Sequence, residues 1–564
     1  MRKKFVQIAA TVLLAGLCLS LAPGAAPRAR AAVAEDQIIR VGIYFDGSAL
    51  PGVNMTNAAG SGFRLGYYDG DNRFVQLAST DQTDLSVVKT ENVYYVDSGG
   101  YASYYNYTGG GQAVVIGCYH LQLPGSYGSF EQAQAAAQAY SGGFAAYIDG
   151  AYYARVGNYP DRAGAEQAQS QLSAQGVSAE IRGTSAYGVS VVRTGSNQIL
   201  FQYDDLGAGT GLGVEPNAAG DQGEDYRTRF HNINWRGGFR FERVNGGNLT
   251  IANLVSLGDY VKGVVPHEMS NAWPLEALKA QAVCARTYTL TNLNRHSSGH
   301  FDLCNESHCQ VYLGVYGAGT NSDQAVDETA GQVAIYNGEL AECYYHSSNG
   351  GATEGVNVVW GSNQSGYPYL VGVNDPYEAL VADRIDNYEW TRTVTGEALT
   401  QMLHGWGYTQ ASLIATAQVS QYSDTGNPAQ VTFTDQDGRS YTVASRRVVT
   451  YFGLRSYRYD FVGGGGQLLV NSQPVDSLEG LYAIGGNGQS TAVGEGAYLI
   501  TGDGTIAQAG TGGGQAGADG TFTIAGSGWG HNVGMSQWGA YAQALEGRTY
   551  REILTFYYTG ITVG

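Results

Sequence analysis

The sequence is poor in charge, and poorest in positive charge. Only 14% of its 564 residues are Asp, Glu, Lys or Arg, and 31 basic residues face 49 acidic ones for a net charge of −18. That balance repels polyanions, so nucleic acid is not expected as a partner. Long apolar runs are also missing: past the N-terminus, no stretch is long enough to span a bilayer. What the chain has instead is 42 Tyr and 82 Gly. Such a composition points to a β-rich extracytoplasmic protein with aromatic surfaces of the kind that stack on sugar rings. The length suggests three or four domains at ~150 residues each.

The chain begins Met1-Arg2-Lys3-Lys4, runs through the apolar Ile8 to Ala22 and reaches small residues near Ala31 and Ala34. This is the pattern of an export signal over residues 1–34, leaving an exported mature protein; the alternative is a retained anchor. Cys18 follows Leu17, not the small residue that a lipoprotein signal needs. From Ile39, IRVGIYFDG, FRLGYYDG and FVQLA alternate apolar and polar residues, as strands of a β-rich region over 35–114 would.

An internal repeat follows. Tyr119 to Leu123 and the Ala/Gln-rich stretch after it recur as Tyr152 to Val156 and its sequel, with Ala133, Ala136 and Tyr140 matched by Ala165, Ala168 and Leu172. Each copy reads strand, turn, helix, strand. The doubled unit, with YYARVGNYPDRAGAEQAQSQL in its second half, resembles a SPOR domain over 115–184. The resemblance implies binding to glycan stripped of its stem peptides; a generic α+β packing module is the plainer alternative. From Val189 on, one large domain (189–564) is expected, interrupted at about 463–525 by a Gly-rich insertion with strand-like pieces such as GLYAIGG and GAYLITG.

Within that domain LGDYVKGVVPHEMSNAWPLEALKAQAVCARTYTLTNL puts Glu268 in a turn between two helical segments. The second helix can start at Pro274, with Glu276 at the positive end of its dipole. Leu275, Leu278, Ala282 and Ala285 form an apolar stripe, and Lys279 and Arg286 share another face. By periodicity alone this is an ordinary amphipathic helix. Further on, His296, His300, Cys304, His308 and Cys309 crowd into one short segment. Imidazole and thiolate suit zinc, which would staple a loop lacking a core. A Cys304–Cys309 disulfide is the alternative. Cys118, Cys284 and Cys343 read as buried thiols.

Three runs in order, YVKGVVPHEM, PLEALKAQAVCARTYTL and GSGWGHNVGMSQWGAYAQALEGRTYREILTFYYTGI, resemble the SpoIID/LytB family of peptidoglycan-active proteins. The resemblance implies an α+β fold: a β-rich catalytic domain whose helical segment carries the acid, beside the small α+β SPOR-like module. It implies that Glu268, before Met269, is the catalytic acid of a lytic transglycosylase. Arg286 would orient substrate or the glutamate, or else brace two helices by a salt bridge. His267 would line the cleft or be structural. The run from Tyr344 through His346 to Gly351 and the segment from Gly528 to Gly539 match the family's cleft motifs. Tyr345, Ser347, Ser348 and Asn349, then Trp529, His531 and Gln537, with Lys279, are thereby expected to bind the sugar. Asn532 takes a position usually glycine in relatives, and Asn tolerates positive φ. The HC pair before QVY resembles a metal-bearing loop, giving a structural zinc on His300 or His296 with Cys304, His308 and Cys309; His300 is the first choice. No cofactor is expected in catalysis.

A lytic transglycosylase needs one carboxylic acid, since the muramic C6 hydroxyl attacks its own anomeric carbon and gains from intramolecularity. The expected partners are glycan strands and a cell-wall amidase that strips them. Two other readings stay open: a non-cutting amidase enhancer, and a hydrolase pairing Glu268 with Glu354 or Asp375.

Overall fold

Two large sheets are woven from strands far apart in the chain. The computed structural model describes residues 33–564 except 58–60, 98–101, 108, 110–113, 218–226 and much of 463–519, where only the backbone of short strands is described. The expected export signal thus lies almost wholly outside the described residues. Among the described residues, no helix is long and apolar enough to cross a membrane.

In a seven-stranded sheet Ile38–Tyr44 lies between Thr250–Ser256, antiparallel, and Leu303–Cys304, parallel; Phe63–Tyr68 pairs with Leu212–Pro216. The β-rich stretch 35–114 therefore shares its sheets with strands beyond 189. Alternation marked those strands correctly but carries no information about their partners. A ten-stranded sheet joins the repeat to the rest through the parallel pair Gly143–Ile148 and Ile199–Asp204.

The repeat folds as strand Tyr119–Gln122, helix Phe130–Gln138, strands Gly143–Ile148 and Ala151–Tyr159, helix Arg162–Ala174 and strand Glu180–Arg182. With 180–182 beside 119–122 beside 151–159 beside 143–148, it is a split βαβ arrangement. Local chemistry starts both helices: the Ser129 hydroxyl accepts from Gln132 N and the Asp161 carboxylate from Gly164 N. Leu121, Leu123, Ala137, Ala154, Val156, Ala165 and Leu172 form its own small core.

The helix Leu257–Glu268, capped by Ser256, buries Leu257, Tyr260, Val261, Val264 and Val265. Gly263 lets it sit close: a Cβ there would lie 2.6 Å from the Gly314 carbonyl oxygen. The next helix, Leu275–Thr291, has Pro274 at its cap, not inside its first turn. Its buried residues run unbroken from Ala280 to Thr289, so it is a core helix enclosed on all sides instead of an amphipathic one. Helices Thr320–Glu328, Gln537–Leu545 and Tyr550–Tyr557 pack around it. In the Gly-rich stretch the expected strand pieces are hairpins: Leu468–Val470 with Gln473–Val475, Tyr482–Ile484 with Ser490–Ala492, and Tyr498–Ile500 with Ile506–Gln508.

Candidate active site

Glu268 is the last residue of its helix, where the dipole disfavours a carboxylate. Burial pushes its pKa above the usual range, and hydrogen bonds from Gln537, Tyr345 and the Val311 backbone pull the other way. Tyr345 Oη donates to Glu268 Oε1 at 3.2 Å and Gln537 Nε2 to Oε2 at 3.2 Å. Gln310, absent from the sequence expectations, fixes that pattern. Its Oε1 accepts from Tyr260 Oη at 3.2 Å and Thr289 Oγ1 at 2.9 Å, and its Nε2 donates to Tyr345 Oη at 3.0 Å. Because Gln310 presents an N–H to the Tyr345 hydroxyl, the Tyr345 proton is directed at Glu268.

The carboxylate opens on a cavity of about 450 Å³. Tyr344 to Ser347, Trp360, Trp529 to His531, Ser307 to Val311 and Arg295 are among the residues that line it. Trp529 is 51% exposed, with the Arg455 guanidinium 4.7 Å from its ring centroid. Burial lowers the His531 pKa to about 4, leaving a neutral ring whose Nδ1 accepts from Val533 N. A larger cavity of about 560 Å³, beside Trp390, Tyr422 and Arg458, does not include Glu268.

Of the expected sugar-binding residues, Tyr345, Ser347, Trp529, His531 and Gln537 line the cavity with Glu268. Ser348 and Asn349 do not: both are fully buried beneath it. There Glu378, which no sequence signal marked, accepts from Ser348 Oγ (3.1 Å), Asn349 N (3.0 Å), Gly350 N (2.6 Å) and Ser536 Oγ (2.5 Å). Burial raises its pKa to about 7 against those donors. Asn349 Nδ2 also donates to Asp375 at 2.7 Å. Asn532 does stand at positive φ (61°), and its side-chain amide tethers the Asn349 and Ala352 carbonyls, so this corner is architectural.

Lys279 is also misplaced as a sugar ligand, being tied to Glu276 (2.8 Å) and Glu328 (2.6 Å) away from the cavity. Arg286 does not reach Glu268. It is fully buried, its Nε lies 2.6 Å from Glu35 Oε1, and its terminal nitrogens contact the Gln332 and Val326 carbonyls. The Glu35 contact is close enough for an ion pair, although Nε does not point along a hydrogen bond. The bracing alternative therefore describes it, with the N-terminal segment as its partner in place of the preceding helix. His267 stacks on Tyr316 outside the cavity. Glu354 is held by Ser423, Thr425 and its own neighbour's amide, and Asp375 by Tyr557 and Asn349, so neither faces Glu268 across the cavity.

His296, Cys304, His308 and Cys309 bring their donor atoms within 4.8 Å of one another. Cys309 Sγ lies 3.4 Å from His296 Nε2 and 3.6 Å from His308 Nδ1, and Cys304 Sγ lies 3.7 Å from His308 Nδ1. Tetrahedral zinc, with bonds of about 2.3 Å to sulfur and 2.0 Å to nitrogen, requires S···N edges of roughly 3.5 Å. The four residues fit that ion. His300 is not among them: its Nδ1 is 2.6 Å from Glu242 Oε1, its backbone turned into the left-handed region (φ 64°). Spacing could not decide between the two histidines because this turn, invisible in the sequence, faces one inward and the other out. Zinc here would have all four positions filled and hold the 307–311 wall of the cavity in place; the two cysteines are free thiols.

Two outcomes are expected. The purified chain should carry one zinc by elemental analysis, lost in Cys309→Ser and His296→Ala and kept in His300→Ala; a metal-free protein with both thiols oxidised would exclude the site. Glu35→Ala should cost about 3 kcal/mol in a urea melt, because it strands a buried guanidinium. Unchanged stability would return Arg286 to the list of residues acting on substrate.

Residues 245–336 match the family described as Stage II sporulation protein, SpoIID. That stretch contains Glu268, the buried helix after it and all four metal donors, whereas Tyr345 and Gln537 lie outside it. The chain is 29% identical over 362 residues to an uncharacterized protein of Brachyspira hyodysenteriae, 62% of this chain and 80% of the relative. It is 32% identical over 324 residues to the amidase enhancer of Bacillus subtilis, covering 54% of this chain and 40% of that protein. To the stage II sporulation protein D of Bacillus subtilis it is 25% identical over 331 residues, 56% and 76% of the two chains. Residues 245–336 thus form a SpoIID-type domain, and that domain and these relatives support a cell-wall-related function for the chain.

Proposed function

We propose that the protein is an exported lytic transglycosylase that cuts MurNAc–GlcNAc bonds in peptide-stripped glycan. The supporting observation is the solitude of Glu268: among the described residues lining its cavity it is the one carboxylate. Hydrolytic glycosidases use two. A protonated Glu268 gives its proton to the leaving O4 as the C1–O4 bond breaks. The C6 oxygen of the same muramic ring bonds to C1, and its proton passes to Glu268, restoring the acid. No water is consumed, and the product end is a 1,6-anhydro sugar. Trp529 and Trp360 would stack on rings, with Tyr345 and Gln537 holding the carboxyl in line. Zinc is assigned no step.

The SPOR-like module would hold the enzyme to glycan that an amidase has stripped, in wall remodelling such as sporulation. The relative named amidase enhancer supports a second reading, in which the chain binds the wall and stimulates an amidase without cutting.

Digestion of peptide-stripped strands with the purified chain, read by mass, separates these. Anhydro ends are expected; reducing ends would mean hydrolysis, and no cleavage with faster amidase action would mean an enhancer. Glu268→Gln should lower the rate about 10²–10⁴-fold without a change in melting. As a proton donor Glu268 works below its own pKa, so activity should fall as pH rises through that raised value. Tyr345→Phe removes a bond that favours the charged form, and should move this alkaline limb to higher pH. A limb that stays put or moves down would detach Tyr345 from Glu268.

A further inference from the structure

Beneath the cavity two buried carboxylates share a hydrogen-bond cluster that contains no Lys or Arg. Asp375 is 2% exposed and Glu378 0%, and neither forms an ion pair with a described residue. Asn349 bridges them: its backbone N donates to Glu378 Oε1 at 3.0 Å and its Nδ2 to Asp375 Oδ2 at 2.7 Å. Tyr557 Oη (2.5 Å) and Tyr377 N (3.0 Å) also donate to Asp375. A buried carboxylate with no cation beside it is costly, and hydrogen bonds to the charged form are what sustain it.

The four donors to Glu378 come from the two segments that carry the side-chain donors to Glu268. Ser348 Oγ, Asn349 N and Gly350 N belong to the turn after the strand Tyr345–His346; Ser536 Oγ caps the helix that begins with Gln537, accepting from Gly539 N at 3.1 Å. Each oxygen of Glu378 thus accepts from one backbone N–H and one serine hydroxyl, and a backbone N–H cannot turn round. A proton can enter only where a serine reverses. At Ser536, 2.5 Å from Oε1, the freed hydroxyl would turn to the Ser347 carbonyl at 3.4 Å. The bonds to the neutral acid also lose their charge assistance, about half their strength. Burial and the charge of Asp375 favour that proton, raising the Glu378 pKa to about 7 against its donors. The other titratable groups on the packed elements keep one state across that range: burial holds Tyr388 and Tyr557 further above their ordinary value and keeps His346 neutral. Arg458 acts on Tyr388, Arg548 is bound to Tyr377 and Arg384 to Tyr541, and Asp383, Arg551 and Glu552 are exposed.

We infer that Glu378 is a positioning residue for the reaction: as an anion it holds the Tyr345 and Gln537 segments in register on Glu268, and on taking a proton it loosens them, so that cutting fails as the pH falls. The inference rests on the reading of Glu268 as the acid. Glu378 itself is fully buried and touches no substrate. With the alkaline limb set by Glu268, the rate should be bell-shaped in pH. Stability runs the other way. Because the folded pKa lies above the ordinary carboxylate value, folding favours the protonated form, so this group's contribution to stability is full below the ordinary value and is lost as pH rises through about 7. A residue that served stability alone would make rate and melting temperature fall together; Glu378 sets them against each other.

The test is hydrogen exchange of the full chain without substrate, read by mass spectrometry from about pH 5.5 to about pH 8.5 and normalised for the intrinsic pH dependence of exchange, beside the rate on peptide-stripped strands. In the wild-type chain the peptides covering 345–351 and 534–540 should gain protection as pH rises through about 7, and the rate should fall about tenfold per pH unit below it. Glu378→Gln should fix both segments at the low-protection level and remove the acid limb. Asp375→Asn takes away the neighbouring charge and should move the transition down by at least about half a pH unit, which keeps the test open if the first variant does not fold. Protection that stays level across the range, or a transition that persists in Glu378→Gln or stays put in Asp375→Asn, would overturn the inference. A chain that does not cut still reports protection, and a chain that cuts with level protection and no acid limb overturns the inference while leaving glycan cleavage in place.

Discussion

A single buried carboxyl, held by two donors from segments far apart in the chain, is the constraint that organises the site. Glu268 comes from the end of one helix, Tyr345 from a short strand 77 residues on and Gln537 from a helix start 269 residues on. Burial alone would favour the protonated form, and the two donors temper that preference without supplying charge. The outcome is an acid whose direct side-chain hydrogen-bond partners are neutral, suited to giving up a proton and receiving one back.

Keeping three segments in register calls for rigid support beneath the cavity, and the protein supplies it with buried polar clusters. Glu378 ties the turn at Ser348–Gly350 to Ser536, the cap of the helix that begins with Gln537. Gln310 ties Tyr345 to the enclosed helix through Thr289. With zinc bound, the four-donor cluster would hold the 307–311 segment of the cavity lining. In the Glu378 and Gln310 clusters donors meet acceptors, the condition under which buried polar groups specify one arrangement instead of weakening it.

Two buried arginines are held in different ways. Arg286 is neutralised by Glu35 and fastens the chain's N-terminal segment onto the central helix. Arg155 is seated on the amides of Gln122 and Gln202, with the buried Asp204 as a more distant electrostatic partner. Both sit in regular elements, and neither sequence context reveals the partner.

Local pattern was enough for local structure. Alternation gave the strands from Ile39, the doubled strand–helix–strand motif gave the helices and strands between Tyr119 and Arg182, and the resemblance pointed to Glu268, Tyr345, Trp529 and Gln537, which do converge on one cavity. It could not tell cavity from foundation: Ser348 and Asn349 share a motif with Tyr345 and Ser347 but turn beneath the floor, and Lys279 and Arg286 share a helix with buried neighbours yet pair elsewhere. His296 and His300 differ by a left-handed turn that no spacing rule encodes. The sequence by itself determined which residue types were present and which segments would be helix or strand, because those follow from neighbours within a few positions. Tertiary structure alone decided which side chains meet and which charges go unpaired, because those depend on contacts hundreds of residues apart.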